Sequence, residues 1–237
     1  MLYNLFDLYI EINPIYETTK QRLSPFLASD EHTSDFTVTH TIEDIEKEKI
    51  KDPEHSKEYH EMVCIFRYIT SNILDFDGMF IHSAVVSYGD KGYMFLGMSG
   101  AGKSTHAQQW VKHFGENAKI INGDKPVIRF LPDGIYAYGS PWCGEQGWYE
   151  NSKIRLFSAC FINQSKDNKI MPLSSKDAFS MLQNQIVLPS EINKKLKHYE
   201  LLDKLLKEIP FYNLYCDISQ EAVKTAYNTM KLNKEEN

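Results

Sequence analysis

The sequence predicts an α/β fold: a nucleotide-binding core of mixed β-sheet flanked by helices, with a small N-terminal α+β extension. Three observations carry this expectation. A strand-like run, Tyr93 to Leu96, feeds directly into the glycine-rich stretch Gly97-Met98-Ser99-Gly100-Ala101-Gly102-Lys103-Ser104. Apolar residues at helical spacing follow at once, at Ala107, Trp110, Val111 and Phe114. Strand-like and helix-like segments then alternate to the end of the chain, the pattern of a sheet covered by helices.

The elements read in order as follows. Residues 1–75 combine strand-like stretches, Leu2 to Ile12 and Phe36 to Thr41, with a charged segment, IEDIEKEKIKDPEHSKEYHE, that reads as a solvated helix-loop-helix. From Tyr59 to Ile73 the residues Met62, Val63, Phe66, Ile69 and Ile73 recur at helical spacing, so this helix has a face to bury. FIHSAVVSYGDKGYMFLG is two apolar runs about a Gly-Asp-Lys-Gly turn, a hairpin whose second strand enters the glycine-rich stretch. Gly115 ends the helix beyond it. A strand at Ala118 to Ile121 runs into Asn122-Gly123-Asp124-Lys125, and Val127 to Phe130 with Ile135 to Tyr138 makes a second hairpin across Leu-Pro-Asp-Gly. The loop GSPWCGEQGWYEN follows, then a strand at Leu156 to Ile162, a short helix from Ser175, an amphipathic helix at Glu191 to Glu208, and a strand at Phe211 to Cys216. Ser219 caps a last helix before a polar tail. The expected division is 1–75 for the extension and 76–237 for the P-loop domain.

Composition excludes several functions. With 26 basic against 32 acidic side chains, a net charge of −6 and the two signs interleaved, no broad cationic face is available to neutralise a nucleic acid backbone. The apolar N-terminus lacks a basic leader and is interrupted by Asp7 and Glu11, and no apolar run approaches the roughly 20 residues of a membrane helix. Neither nucleic acid nor membrane is an expected partner. Cys64, Cys143, Cys160 and Cys216 form no C-x-x-C pair and no zinc-like cluster. Free thiols in a reducing, cytoplasmic setting are expected, two disulfides being the alternative.

Gly97 to Ser104 matches G-x-x-x-x-G-K-[ST] between a strand and a helix, the arrangement in which backbone N–H groups and a helix N-terminus wrap a phosphate chain. In that role Gly97, Ser99, Gly100, Ala101 and Gly102 supply the cradle. Lys103 reaches the terminal phosphates, Ser104 offers its hydroxyl to Mg²⁺ and Thr105 donates to the α-phosphate. Asp124, just past the next strand, is the acidic partner a magnesium site needs. ATP and Mg²⁺ are therefore the expected cofactors, although no motif identifies the base.

The order His82, hairpin, GMSGAGKST, IINGDK and glycine-rich segment resembles the catalytic domain of HPr kinase/phosphorylase and the wider HPr-kinase-like group, whose P-loop core is shared with ATP-dependent phosphoenolpyruvate carboxykinase. It spans roughly residues 76 to 230. The resemblance implies that Ser104 and Asp124 hold the metal while an acidic residue or histidine near the γ-phosphate activates an acceptor hydroxyl. HPr kinases have a second Asp, assigned as the base, where this chain has Gly123. The base is thus open among His82, Asp124 and Glu145. Related proteins share a G-x-P-W-x-G stretch, so Gly139, Trp142, Gly144 and Trp148 read as an acceptor-side loop, the tryptophans offering aromatic surfaces or packing the loop onto the body. Arg155 is a candidate charge-stabilising group. Arg129 reads as a surface residue, as do His55, His60, His106 and His113. The family's hexamers leave a homo-oligomer open here, where the N-terminal region is unlike.

Two functions follow. The first is phosphotransfer from ATP to a hydroxyl on a protein or peptide serine, or on a small metabolite. The second, raised by Gly123, is a catalytically weak nucleotide-binding regulatory module whose occupancy orders the tryptophan loop for a partner. Carboxykinase chemistry is disfavoured by the short chain and the absence of an arginine cluster.

Overall fold

The computed structural model describes residues 1–29, 31–189 and 191–232. The expected polar tail beyond 232 lies outside them. The chain divides into two compact units, Met1–Phe76 with Leu188–Lys195, and Asp77–Val187 with Leu196–Asn237. No helix among the described residues is long and apolar enough to cross a membrane.

In the first unit, β1 (Leu2–Leu5) and β2 (Leu8–Ile12) form an antiparallel hairpin, not the single stretch the apolar run suggested. Phe6 and Asp7 turn the chain with φ of 63° and 60°, the paired left-handed conformation of a tight two-residue hairpin loop. After α1 (Glu17–Leu23), β3 (Phe36–Val38) lies parallel to β2. The charged segment folds as α2 (Ile42–Lys51), with a capping box between Thr41 and Asp44, and as the start of α3 (Lys57–Asn72), capped by Ser56. Only Ile45 of α2 is buried, as a solvated helix requires. His60, expected at the surface, is buried, as is Glu61 beside it. Burial alone would raise the Glu61 pKa, but His40 at 2.9 Å and the amides of Ile15 and Tyr16 hydrogen-bond its carboxylate and hold the pKa below its ordinary value.

The second unit is a curled mixed sheet with helices on it. Its strands are β4 (Gly78–Phe80), β5 (Ala84–Tyr88), β6 (Lys91–Leu96), β7 (Ala118–Asn122), β8 (Val127–Leu131), β9 (Gly134–Tyr138), β10 (Lys153–Gln164), β11 (Lys169–Pro172) and β12 (Phe211–Cys216). Its helices are α4 (Lys103–Phe114), α5 (Ser175–Leu182), α6 (Ile192–Glu208), which begins in residues of the first unit, and α7 (Gln220–Met230). The strand order is β4-β8-β9-β10-β6-β5-β7. The long β10 is the hub. Lys153 to Arg155 pair antiparallel with β9, Ala159 to Gln164 pair parallel with β12, and the other edge runs parallel to β6. The β5–β6 hairpin forms as the turn chemistry predicts, while Phe80 belongs to β4 and pairs with β8.

The face of β6, β10 and β12 that meets α4 and α7 is the core. Trp110 is fully buried among Tyr93, Phe95, Phe114 and Tyr227, with ring centroids 4.7 to 5.9 Å away. Aromatic burial on this scale anchors α4 by about 3–5 kcal/mol per large side chain. His106, expected at the surface, lies in this core and accepts a hydrogen bond from Trp110 Nε1 at 3.0 Å, and burial lowers its pKa to about 4. Arg129 in β8 is likewise 9% exposed, not a surface residue. The four cysteines are free thiols.

Candidate functional site

The site is built at the ends of β6 and β7, which flank β5 in the sheet. β6 stops at Leu96, and residues 97 to 102 loop over to the start of α4 at Lys103. Gly100 and Gly102 have φ of 78° and 99°, and a Cβ would meet nothing within 4 Å at either, so these glycines serve backbone conformation and not packing. Gly97 differs. A Cβ there would stand 3.0 Å from Ala101 Cβ and 3.1 Å from the Ile162 carbonyl, so the loop lies tight against β10. Helices α2, α3, α5 and α7 each have a Thr or Ser side chain capping the N-terminus, whereas α4, preceded by Gly102, has no side-chain cap, as is also true of the short α1. An uncapped N-terminus framed by left-handed glycines is a place for an external acceptor of hydrogen bonds.

Lys103 is 7% exposed and its ammonium donates to the carbonyls of Gly97, at 2.9 Å, and Met98, at 3.4 Å. Burial lowers its pKa, with the Asp124 carboxylate opposing. Ser104 Oγ donates to the Gly123 carbonyl at 3.4 Å, which ties the helix start to the turn after β7.

That turn is held by Asn122, which is fully buried. Its amide donates to Ser140 O and Oγ, both at 3.1 Å, and its oxygen accepts from the amides of Asp124 and Lys125 at 2.9 and 2.8 Å. All of its polar capacity is used, so the direction of Asp124 is set by the backbone and not by chance rotamers. Asp124 Oδ1 accepts from His82 Nε2 at 2.7 Å, and Oδ2 from Lys125 Nζ at 2.5 Å. Burial works to raise the Asp124 pKa, but these two hydrogen bonds and the charges behind them prevail and hold it at about 2. His82 itself lies between β4 and β5, its amide bonded to the Gln185 carbonyl at 2.7 Å.

The loop after β9 closes the site from a third side. Gly123 N–H donates to the Trp148 carbonyl at 2.9 Å and Lys125 N–H to the Trp142 carbonyl at 3.1 Å. Gly144, at φ 76°, brings this loop so close that a Cβ would stand 3.2 Å from Asp124 Cβ. A cleft of about 420 Å³ results, lined by Ser99, Gly100, Gly102, Lys103, Ser104 and Thr105 on one wall and by His82, Gly123, Asp124, Gly144, Glu145 and Gln146 on the other.

Most of the residues singled out from sequence thus meet in one place. Four of the acceptor-side candidates, Gly139, Trp142, Trp148 and Arg155, do not line this cleft. Trp142 offers no open aromatic surface, since it is 9% exposed and packs edge-on against Phe80 at 5.6 Å. Gly139 is an interior packing point where a Cβ would fall 1.8 Å from the Glu150 carbonyl oxygen. Trp148 is half-buried and contributes its backbone to the Gly123 turn. Arg155 sits at the other end of the sheet, because its neighbour Leu156 pairs with Gly92, near the start of β6, while the glycine loop follows the end of that strand. It lines a separate cleft of about 480 Å³ with Lys91 and Glu208. Sequence reasoning passed over Asn122 and Ser140, which fix the turn. An Asn two residues before a key Asp is the signal that could have found the first.

The loop also borders a second cleft, of about 560 Å³, on the Thr105 side away from Asp124, walled by Ile162, Gln164, Cys216 and Ile218. Ser104 Oγ and the Asp124 carboxylate, on one 420 Å³ cleft, are hard oxygen donors of the kind Mg²⁺ takes together with phosphate oxygens and water. The donor set therefore fits that ion.

No protein-family model matches the sequence, and no curated protein matches it. Among solved structures the chain is similar to the Hpr(Ser) kinase/phosphatase from Coxiella burnetii, with 8% identity and a TM-score of 0.37 over 67% of this chain and 99% of that one. A likeness so distant carries no weight for activity, and the functional reading rests on the residues of the cleft.

Proposed function

We propose that this chain is an ATP- and Mg²⁺-dependent phosphotransferase that moves the γ-phosphate to a hydroxyl acceptor, on a protein or peptide serine or on a small metabolite. One observation supports this above all: Lys103, Ser104, Asp124 and His82 converge on a single cleft floored by an uncapped helix N-terminus. In this reading the catalytic domain is 76–237, with 1–75 an extension, and the protein works in the cytoplasm, with a homo-oligomer open to test.

The loop amides from Gly97 to Gly102, apart from that of Ala101, which donates to the Met98 carbonyl at 3.0 Å, and the N–H groups of Ser104 and Thr105 hold the phosphate chain. Lys103 turns its ammonium from the loop carbonyls to the terminal phosphates, where charge grows as the phosphoryl group moves. Ser104 and Asp124 hold Mg²⁺, which when bound neutralises charge on the phosphates. Asp124, with a pKa of about 2, is a poor proton acceptor, and Glu145 stands on an exposed loop segment. His82 is therefore the base in this account. Asp124 keeps its proton on Nε2 and Nδ1 takes the acceptor's proton.

One feature favours the alternative, a nucleotide-binding regulatory module. A Cβ on Gly123 would stand a tight 3.2 Å from the Cys143 carbonyl and in ordinary contact, 3.5 Å, with that of Trp148, so a second acid at this position would start against loop backbone. Tracing γ-labelled ATP with Mg²⁺, cell extract and a panel of hydroxyl compounds separates the two. Label on an acceptor, lost by orders of magnitude in His82→Asn and Asp124→Asn, is the result expected of a kinase. Tight ATP binding with no label transferred would establish the binding module instead.

A further inference from the structure

Resting on the reading of Ser104 and Asp124 as magnesium ligands, we propose that Lys125 makes metal uptake depend on the nucleotide: its ammonium cancels the charge of Asp124, so the cleft takes a divalent cation together with a triphosphate and not alone. Three charges meet here. Lys125 Nζ donates to Asp124 Oδ2 at 2.5 Å, while His82 Nε2 engages Oδ1 at 2.7 Å. Lys103 lies within range of both partners, since the Asp124 carboxylate favours its charge and the Lys125 ammonium opposes it. The sum over Lys103, Asp124 and Lys125 is positive. Glu145, the other carboxylate lining the cleft, stands on an exposed segment where water screens it.

The pairing of Lys125 with Asp124 is built into the turn. The Lys125 N–H donates to Asn122 Oδ1 at 2.8 Å and to the Trp142 carbonyl at 3.1 Å, and its own carbonyl accepts from Ser140 Oγ at 2.6 Å. Pro126 follows and disfavours helical backbone at Lys125. The ammonium and carboxylate therefore start from adjacent, fixed points of the chain. Their side chains are 32% and 20% exposed, so the pair is partly sheltered from the water that weakens ion pairs at a surface. Each carboxylate oxygen has a second lone pair, so Asp124 can still ligate a metal while Lys125 and His82 stay in place.

The consequence is electrostatic. Magnesium is held in proteins through one or two carboxylates completed by substrate phosphates. Here the one carboxylate is neutralised by its neighbour, and a free divalent cation is opposed by two ammonium groups. A triphosphate reverses the balance, because its negative charge is attracted by the same two ammoniums and brings further oxygen ligands with it.

The test is calorimetric titration of the full chain at pH 8, first with Mn²⁺ alone as the probe for a hard divalent cation and then with MgATP. Lys125→Met keeps the aliphatic stem and leaves every backbone contact of the turn in place. It should bind free Mn²⁺ at least ~10-fold more tightly than the wild type and MgATP about threefold more weakly. Loss of structure would weaken both, so opposite movements are the signature of charge. Lys125→Arg, which keeps the charge, should behave as the wild type toward Mn²⁺. No gain in Mn²⁺ affinity in Lys125→Met, the same gain in Lys125→Arg, or an MgATP affinity that does not fall would overturn the proposal. Failure of the magnesium-ligand reading looks different: the gain in Lys125→Met would survive the added Asp124→Asn substitution, or MgATP would bind equally well to the wild type and Asp124→Asn.

Discussion

Asp124→Asn probes the centre of the site before any substrate is known. Asn keeps the volume and one oxygen but loses the charge that His82 and Lys125 grip at 2.7 and 2.5 Å. The Asp124 carboxyl has a pKa of about 2 in the folded chain against 3.8 for an unperturbed group. A depression of that size is worth roughly 2 kcal/mol of folding stability. The sign follows from where the proton binds. Above about pH 5 the group is ionised in both states and the whole contribution is present. As pH falls from 3.8 toward 2 the unfolded chain takes up the proton first, and the contribution drains away. Wild type and Asp124→Asn should therefore differ by about 2 kcal/mol at pH 6, by well under half of that near pH 2, and converge below it. Urea unfolding followed by tryptophan fluorescence reads this directly, since Trp110, Trp142 and Trp148 all lie in the second unit. A gap that stays constant between pH 6 and pH 2, or no gap at pH 6, would refute the ion-pair account of Asp124.

Other substitutions give equally definite expectations. Gly139→Ala would set a methyl 1.8 Å from the Glu150 carbonyl oxygen and 2.8 Å from that of Ile121, both backbone atoms. Parting those segments should destabilise the second unit by about 3 kcal/mol or more, checked by the same unfolding assay. Gly123→Asp should not raise phosphoryl transfer, because its side chain meets the Cys143 and Trp148 carbonyls; a gain in turnover would contradict the close approach seen here. Arg155→Ala should leave ATP affinity within about twofold, since that residue lines a different cleft. Tenfold weaker binding would mean that the two ends of the sheet are coupled.

How much of this was legible in the sequence depended on whether a signal is local. The strand, glycine loop and α4 follow one another along the chain, and the 3.6-residue spacing of Ala107, Trp110, Val111 and Phe114 marks a buried face without any tertiary knowledge. The β5–β6 turn and the Ser219 cap are likewise written in adjacent residues. The convergence of His82 with Asp124 needed the strand order, which no local pattern encodes. Trp142 stayed open between two parts, and Gly139 misled, because a glycine- and tryptophan-rich loop reads the same whether its rings face solvent or the interior. Arg155 misled because a strand's composition does not reveal which of its ends lies at the site; only the pairing of Leu156 with Gly92 does. His60 and His106 occupy the apolar faces of amphipathic helices, where one polar residue does not break the pattern.

The central claim is that the loop from Gly97 to Gly102 and Lys103 grip the phosphates of a nucleotide. Equilibrium titration of MgATP into wild type and Lys103→Ala tests it most directly. The account predicts saturable one-to-one binding in the wild type and a loss of at least ~100-fold in Lys103→Ala, with an unchanged fold, because a buried, charge-assisted contact to phosphate is removed. Equal affinity in the two proteins would contradict it.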